Sequence, residues 1–557
     1  MKHVNSKHII TGAALLLSLM ASASAAIEVV TGDISTDTVW SSTSQYVLSG
    51  TANQGVIRVL PGATLTIEPG TIIRGQPRSS SANYDAGSLA VLRGGRIDAQ
   101  GTSSDPIVFT TAAVDFHTYG TTNGIPDGQP DGFVRNGPPG SGADAWVIAD
   151  RYDKVADPDG EHFWDADPKN SPQCPTMTGL WGGVIVLGRA PVNYADLEDE
   201  LNSPPLQLVQ DTDPVPPPTP YYYTKPIVEG LTSPDYAYGS DWATNETVNG
   251  YTGLNYVDVD DNSGILRYIS IRHGGIQLAA DNEINGLTLG GVGRGTKIDH
   301  IEVWGNEDDG IEIFGGTVNL SHLAIFSTKD DGLDLDHGYS GQIQFVLAVG
   351  GSYGEKLLEW DGDDANEFNV GKGAKANFEP RGNWEVRNVT LIGGPTENPS
   401  SSAGVGANIR SNASSKLYNV IIANIPGTRN SITDTSTFWN VIRHVTYPSA
   451  NAVSVSSATV FSNGSTANPG LGTISFAVCE FEGDTEGLQK LTHLNPVPGN
   501  SGGSSLAWLS NYSIPAGQCF FQTANYRGAF DPGITTKAGL WTTGWTAASA
   551  ADAVTVP

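Results

Sequence analysis

Short alternations of apolar and polar residues recur in the middle of this chain, each preceded by an acidic or amide turn and a glycine. The segments are NEINGLTLGG, NEDDGIEIFGG and TKDDGLDLDHG, and their glycines Gly286, Gly310 and Gly332 are 24 and 22 residues apart. A similar segment, DDNSGILRY, places Gly264 another 22 residues earlier. A fixed period of this length, with one short strand in each repeat, is typical of a solenoid. The pattern therefore predicts a parallel β-helix, in which each coil adds one strand to the sheet of its neighbour.

The alternation also predicts which side chains face the interior, because successive side chains of a strand point to opposite faces. The first and third residues after the last three glycines are all aliphatic: Leu287, Leu289, Ile311, Ile313, Leu333 and Leu335. Stacked coils should place Thr288, Glu312 and Asp334 in one outward column at the strand spacing of about 4.8 Å. The Gly264 segment fits this register less well, because Arg267 falls on an inward position.

The rest of the sequence divides the chain into three parts. Residues 1–26 combine Lys2 and Lys7 with an apolar run and then small residues, which is the pattern of a secretory signal peptide. Residues 27–463 are predicted to be all-β and to form the solenoid, with long loop insertions near 112–178 and 194–258. Residues 464–557 are expected to form a C-terminal cap, because an uncapped solenoid end exposes strand edges.

Composition narrows the possible partners and the compartment. The formal charge is −29, and removal of Lys2 and Lys7 with the signal peptide changes it to −31. A chain this acidic should bind neither nucleic acid nor an anionic membrane surface by charge, and no later segment is long and apolar enough for insertion into a membrane. Export makes a disulfide possible; we expect Cys479 to pair with Cys519, although the sequence leaves the pairing of the three cysteines open.

Several motifs resemble a known family. They are LTIEPGTIIRG, GGRIDAQGTSSDPIVFTT, GLWGGVIVLGRAPVN, SIRHGG, YRGAFDP and the long run NEINGLTLGGVGRGTKIDHIEVWGNEDDGIEIFGGTVN. Together they look like a family of secreted bacterial proteins that form right-handed parallel β-helices. The resemblance implies a right-handed parallel β-helix. It also implies a location outside the cytoplasm, which is the periplasm, the outer surface or the medium. It brings no catalytic residues.

The acidic turns are candidate calcium ligands. Calcium takes six to eight oxygen ligands, and stacked turns can supply carboxylate oxygens from neighbouring coils. The alternative is that Asp and Asn occupy these turns because they tolerate turn geometry and bond their own backbone. The predicted metal ligands are Asp260, Asp261, Glu283, Asp308, Asp309, Asp330 and Asp331.

The outward column offers a candidate catalytic group, namely Glu312, Asp334, Asp336 and His337. Paired carboxylates can act as general acid and base in glycoside hydrolysis, and this order of Asp and His faintly resembles polygalacturonase-type β-helices. A lyase would need a cation and a base instead, for which Lys356, Arg381 and Arg410 are candidates. Trp304, Phe314, Trp360 and Trp384 could stack on sugar rings or pack under loops.

Two classes of function follow from these residues. The first is an enzyme that acts on an acidic polysaccharide as hydrolase or lyase through an acidic face, with Ca²⁺ as a possible cofactor. The second is a non-catalytic extracellular scaffold that binds a polysaccharide or a cell-surface component. The fold alone does not choose between them.

Overall fold

The computed structural model describes the chain in segments, some of them only two residues long. The described residues are 26–50, 55–77, 85–112, 178–192, 209–210, 222–223, 226–231, 233–239, 247–248, 251–252, 258–276, 283–351, 354–361, 382–393, 405–410, 414–425, 442–445, 452–462, 473–477, 480–482, 520–524, 526–550 and 554. The predicted signal peptide, except residue 26, and the three cysteines lie outside them, as does most of the two predicted loop insertions.

Strands dominate the described residues. The N-terminal strands are β1 (Ala26–Val30), β2 (Thr38–Trp40), β3 (Ser44–Leu48), β4 (Val56–Val59), β5 (Thr64–Ile67), β6 (Ile72–Gly75), β7 (Ser88–Val91), β8 (Arg96–Gln100), β9 (Ile107–Thr111) and β10 (Val184–Leu187). Two antiparallel pairs follow, β11 (Val209–Gln210) with β12 (Tyr222–Tyr223) and β13 (Thr247–Val248) with β14 (Tyr251–Thr252).

The later coils contribute the remaining strands. They are β15 (Gly264–Gly274), β16 (Leu287–Gly290), β17 (Lys297–Asn306), β18 (Ile311–Phe314), β19 (Asn319–Thr328), β20 (Leu333–Asp336), β21 (Gln342–Val349), β22 (Lys356–Asp361), β23 (Asn383–Ile392), β24 (Val405–Arg410), β25 (Ser414–Ile425), β26 (Ile442–Val445), β27 (Ala452–Ser462), β28 (Thr473–Ala477) and β29 (Glu480–Glu482). The described helices are short: α1 (Ala547–Ala550) and the 3₁₀ turns Pro234–Tyr236 and Lys537–Gly539. In the described part of the chain, no helix is long and apolar enough to cross a membrane.

Two large parallel sheets make up the solenoid. The chain alternates between them from β15 to β27, so that each coil gives one long strand to the first sheet and one short strand to the second. Within the second sheet the order is β26-β24-β22-β20-β18-β16-β10-β7-β4. In the first sheet β15, β17, β19, β21, β23, β25 and β27 lie side by side in that order. This arrangement is a parallel β-helix and confirms the predicted fold class.

The predicted register of the second sheet is also confirmed. Leu287 lies opposite Ile311, and Ile311 lies opposite Leu333. All six predicted inward aliphatic residues have 0% exposure and belong to one core that runs along the solenoid. The core is continuous because the apolar side chain of each coil stacks on its counterpart in the next.

The assignment of the Gly264 segment to the same repeat is wrong. Gly264 begins the long strand β15 of the first sheet, where Ile265 lies opposite Lys297 rather than opposite a strand of the second sheet. Arg267 accordingly faces outward and is paired with Asp299. The segment shares the turn composition of the others, but its turn lies at a different corner of the coil.

The long strands β15, β17, β19, β21, β23 and β25 of the first sheet each bend at a residue with positive φ that occupies the same register position. These residues are Tyr268, His300, His322, Phe345, Asn388 and Asn419, with φ between 50° and 62°. The rings of the first four follow one another with centroids 4.2, 4.2 and 4.7 Å apart; the first three are stacked, and the ring of Phe345 is tilted by 32° against that of His322. The histidines at 300 and 322 are therefore bend residues of the coil.

In the predicted cap, strands β28 and β29 pair with β27 at the end of the first sheet, whereas residues 520–524 and 526–550 lie along the outer face of that sheet. We call residues 520–524 and 526–550 the C-terminal strap. Its backbone N–H groups donate hydrogen bonds to the side chains of Gln344 and Glu302, and one of its carbonyl groups accepts a hydrogen bond from Asn388. These three residues lie on three different strands of the first sheet. Trp304, Phe326 and Leu347 of the first sheet pack with Phe530 and Leu540 of the strap. The strap therefore covers the outer face of the first sheet. This face is apolar, and without the strap it would be exposed to water.

Candidate functional site

The acidic turns before β18, β20 and β22 stack in a column at the edge of the second sheet. Backbone hydrogen bonds join Gly286 to Asp309, Gly310 to Asp331 and Gly332 to Lys356, so Asn285, Asp309, Asp331 and Lys356 follow one another from coil to coil. The carboxylates support this stacking directly. Asp309 Oδ1 accepts the Asp331 N–H at 2.8 Å, and Asp331 Oδ1 accepts the Lys356 N–H at 2.8 Å.

A second column runs beside the first, on the outward positions of the strands. It consists of Thr288, Glu312, Asp334, Glu359 and Asn408, each opposite the next in the sheet register. This confirms the predicted adjacency of Thr288, Glu312 and Asp334. The column is more enclosed than an outer face suggests, because only Asp334 is half-buried and the other four members are buried. We call the nine residues of the two columns the acidic grid.

Hydrogen bonds and ion pairs connect the columns. The Asn285 amide donates to Glu312, and the Asn408 amide donates to Glu359 Oε1 at 2.6 Å. Lys356 Nζ lies 2.9 Å from Asp331 Oδ2 and 2.7 Å from Glu359 Oε2. Lys356 is thus held between one carboxylate of each column.

The carboxylates converge closely enough to share a cation. One oxygen each of Asp309, Glu312 and Asp334 lies within 4.8 Å of the others, and the same holds for Asp331, Asp334 and Glu359. Asp334 belongs to both groups. The structure therefore merges two sites that the sequence separates, since Asp309 and Asp331 are predicted metal ligands and Glu312 and Asp334 are predicted catalytic residues.

Burial and mutual repulsion disfavour the ionised form of these carboxyl groups. Burial, followed by the charges of Asp309 and its neighbours, raises the pKa of Glu312 and of Asp334 well above the usual range. Burial likewise raises the pKa of Asp309 and Asp331. Lys356 responds in the opposite sense: burial opposes its charge, but Asp331 and Glu359 offset this and raise its pKa. The grid thus holds five carboxyl groups and one ammonium.

The donor atoms of the grid fit a hard divalent cation. Apart from the Lys356 ammonium and the two amide nitrogens, its polar side-chain atoms are oxygens, the ligand type that Ca²⁺ and Mg²⁺ take. Within the grid, three buried oxygens have no hydrogen-bond partner: Asp334 Oδ1, Asn285 Oδ1 and Asn408 Oδ1. Orphaned buried acceptors are costly unless something pairs with them, and a cation does so.

Other predicted ligands lie at the rim of the grid. Asp308 and Asp330 approach Asp309, and Asp330 and Asp331 approach Glu355, in two further groups of carboxylates within 4.8 Å. Burial raises the pKa of Asp330 to about 6, although Lys356 lowers it. Glu283 is near enough for its charge to raise the pKa of Asp308, after burial and Asp330.

Asp260 and Asp261 do not join this cluster. Asp260 forms an ion pair with Arg294 at 2.5 Å, and Asp261 forms one with Arg189 at 3.1 Å. Both precede β15 of the first sheet, so they occupy a different turn from the acidic residues before β18 and β20. The expectation that they line the same edge is not met, because it depended on placing Gly264 in the second sheet.

Asp336 ends β20 beside the grid and His337 follows it, but His337 is not free to act as a base. Its Nδ1 lies 2.8 Å from the Tyr238 hydroxyl, its Nε2 lies 3.5 Å from Asp336 Oδ2, and its exposure is 5%. Tyr238 belongs to segment 233–239, which packs on the outer face of the second sheet against Phe314. This part of the predicted second insertion therefore covers the sheet.

The candidate bases and aromatic platforms are placed differently from expectation. Lys356 is held as an ammonium, whereas Arg381 and the side chain of Arg410 lie outside the described residues. Trp360 and Trp384 are in the solenoid core with 0% exposure, and Trp304 packs under the C-terminal strap. These tryptophans are not available to stack on sugar rings.

Sequence reasoning missed Asn408 and Tyr238. Asn408 lies in GVGANIR, which has a glycine but lacks the acidic turn that marks the earlier repeats, so its register could not be assigned. Tyr238 lies in a segment predicted to be loop. Glu359 lies in KLLEWDGDD, whose alternation of apolar and polar residues resembles that of the preceding repeats, and in the structure it lies opposite Asp334.

Comparison with known proteins agrees with this architecture. The model of the pectate-lyase-like β-helix domain family matches residues 32–124 and 239–485, more than half of the chain. The chain belongs to this family. Among solved structures, this pectate-lyase-like β-helix protein is similar to the periplasmic alginate epimerase AlgG at 11% identity, over 78% of this chain and 80% of that one, with a TM-score of 0.24. No curated protein matches the chain.

Proposed function

We propose that the protein acts on an acidic polysaccharide outside the cytoplasm, and that the acidic grid holds a divalent cation on which this action depends. The observation that carries the proposal is the convergence of Asp309, Glu312 and Asp334, with carboxylate oxygens within 4.8 Å of one another. Membership of the pectate-lyase-like β-helix family supports the substrate class, because pectate is an acidic polysaccharide. The predicted signal peptide supports the location.

The residues of the grid have distinct tasks in this proposal. Asp309, Glu312 and Asp334 are the charged ligands, and Asn285 and Thr288 can add neutral oxygens from the adjoining coil. Calcium is the cation that suits such a set, since it takes six to eight oxygens in flexible geometry. When bound, the cation supplies positive charge that can accept a carboxylate of the polymer. Asp334 is half-buried whereas the other four carboxylates are buried, so it is the carboxylate of the grid that a substrate would meet first.

The described residues favour hydrolysis over elimination. Elimination needs a base, and of the candidates Lys356, Arg381 and Arg410 only Lys356 has a described side chain, which is engaged by Asp331 and Glu359. His337, the other basic side chain beside the grid, lies against the Tyr238 hydroxyl. Hydrolysis needs a carboxyl group that still holds a proton near neutral pH. Burial raises the pKa of Asp330, at the rim of the grid, to about 6 in the absence of a bound cation, which makes it the candidate general acid.

A second candidate function is favoured by the burial of the grid. Glu312, Glu359 and Asp309 are at most 8% exposed, so a bound cation could join coils without reaching a substrate. In that case the protein is a non-catalytic scaffold that binds a polysaccharide or cell-surface component, and the cation stabilises its fold.

The decisive experiment is turnover of a panel of acidic polysaccharides by the full chain, with calcium and with EDTA. Reducing ends report either cleavage reaction, whereas ultraviolet absorbance of an unsaturated uronate reports elimination only. We expect calcium-dependent cleavage without the unsaturated product. Asp334→Asn should lower kcat/KM by at least about 100-fold while leaving the fold intact.

Asp260→Asn is the matched control, because Asp260 is an acidic turn residue that lies outside the grid and pairs with Arg294. It should leave turnover unchanged. Polymer binding without cleavage, unaffected by Asp334→Asn, would establish the scaffold instead. Cleavage that survives both EDTA and Asp334→Asn would show that the reaction takes place elsewhere on the molecule.

A further inference from the structure

We propose that Lys356 is a built-in cation that occupies the place of a second divalent ion in the acidic grid. The inference rests on the proposed function, since it concerns the same carboxylates, and it specifies how many ions they take. It predicts that the protein binds one divalent ion fewer than its carboxylates could hold.

The grid consists of two similar halves that share Asp334. One half is Asp309, Glu312 and Asp334, and the other is Asp331, Asp334 and Glu359. In each half, three carboxylate oxygens from two adjacent columns lie within 4.8 Å of one another. The halves repeat because the coils repeat, so the same arrangement of oxygens occurs one coil further along the solenoid.

The halves differ in their source of positive charge. Lys356 Nζ contacts Asp331 Oδ2 at 2.9 Å, Glu359 Oε2 at 2.7 Å and the rim residue Glu355 at 3.2 Å. The half formed by Asp309, Glu312 and Asp334 has no such ammonium among the described residues. An ammonium is a compact point charge, so it can neutralise a cluster of carboxylates much as a small cation does.

Each half also ends in an asparagine with a spare oxygen. Asn285 is 3% exposed, its amide points to Glu312, and its Oδ1 has no partner. Asn408 is 1% exposed, its amide points to Glu359, and its Oδ1 has no partner either. A buried amide oxygen next to carboxylates is a calcium ligand by chemistry. The Lys356 half therefore retains the oxygen donors of a cation site.

The test is the number of calcium ions bound by the full chain, measured by equilibrium dialysis and by calorimetric titration. Lys356→Gln removes the charge and keeps a side chain of similar length. We expect this variant to bind one calcium ion more than the wild type. The double variant Lys356→Gln with Glu359→Gln removes a ligand of the new site as well, and we expect it to return to the wild-type number.

The outcomes separate this inference from the proposed function. Wild type that binds calcium together with Lys356→Gln that binds the same number would overturn the inference and leave the proposed function standing. A wild type that binds no calcium would overturn the cation site itself. Lys356→Gln that folds only with calcium supports the inference, whereas failure to fold at any calcium concentration shows that calcium cannot replace the ammonium and overturns it.

Discussion

At the scale of single residues, the position of His322 in its coil determines its pKa. His322 is a bend residue with a φ of 57°, and its ring lies between those of His300 and Phe345. Trp541 of the C-terminal strap packs edge-on against it. Burial, together with the charge of His300, lowers the pKa of His322 to about 3. His322 is thus kept neutral by its neighbours.

This histidine should make stability depend on pH. Its pKa falls from an ordinary 6.5 to about 3 on folding, so the unfolded chain binds more protons between these values. Its contribution to stability is therefore complete above pH 6.5 and is lost as the pH falls toward 3. His322→Phe removes this loss, and Phe345 shows that phenylalanine fits the same bend. The difference in Tm between variant and wild type should grow in favour of the variant on acidification; a constant difference would contradict the argument.

At the scale of elements, the second sheet depends on the inward side chain of each short strand. Ile311 of β18 has 0% exposure and is stacked between Leu287 and Leu333. Ile311→Ala should lower the free energy of unfolding by roughly 2–5 kcal/mol, through lost burial and the cavity left behind. Urea denaturation followed by fluorescence measures this change. Val39→Ala, at a position 60% exposed, should change it by less than about 0.5 kcal/mol.

The attachment of the C-terminal strap depends on one carboxylate in β17. Glu302 has 0% exposure and accepts the N–H groups of Ala547 and Ala548 at 2.7 and 3.0 Å. Glu302→Gln places an amide N–H against one of these donors, and we expect a loss of about 1–3 kcal/mol. Limited proteolysis should cut the strap faster in this variant, whereas the exposed control Glu28→Gln should match the wild type. Equal proteolysis rates would show that the strap does not depend on Glu302.

At the scale of the whole molecule, the acidic grid should couple stability to calcium and pH together. Without a cation, its raised carboxyl pKa values mean that the folded state binds more protons than the unfolded chain. This contribution to stability is present at low pH and is lost as the pH rises through the folded pKa values. A bound cation needs the ionised carboxylates, so it stabilises most at high pH.

We therefore expect the increase in Tm on replacing EDTA with calcium to be large at about pH 7.5 and small at about pH 5. Taking the difference at each pH cancels the contribution of His322. Asp334→Asn should reduce the increase, and Asp260→Asn should preserve it. A wild-type Tm that is the same in EDTA and in calcium at both pH values would mean that the acidic residues are turn formers only.

The sequence by itself determined the solenoid and the register of its second sheet. Glycines spaced 22 to 24 residues apart and alternating aliphatic residues suffice for this, because a strand side chain has only two faces to occupy. The tertiary structure alone decided which acidic residues meet. Asp260 and Asp309 both belong to an acidic turn that precedes a glycine. Asp260 nevertheless pairs with an arginine and Asp309 joins the grid, because their turns lie at different corners of the coil. Lys356 likewise lies among Asp331, Glu359 and Glu355 only because two coils stack. A local sequence pattern does not show which coils stack on each other.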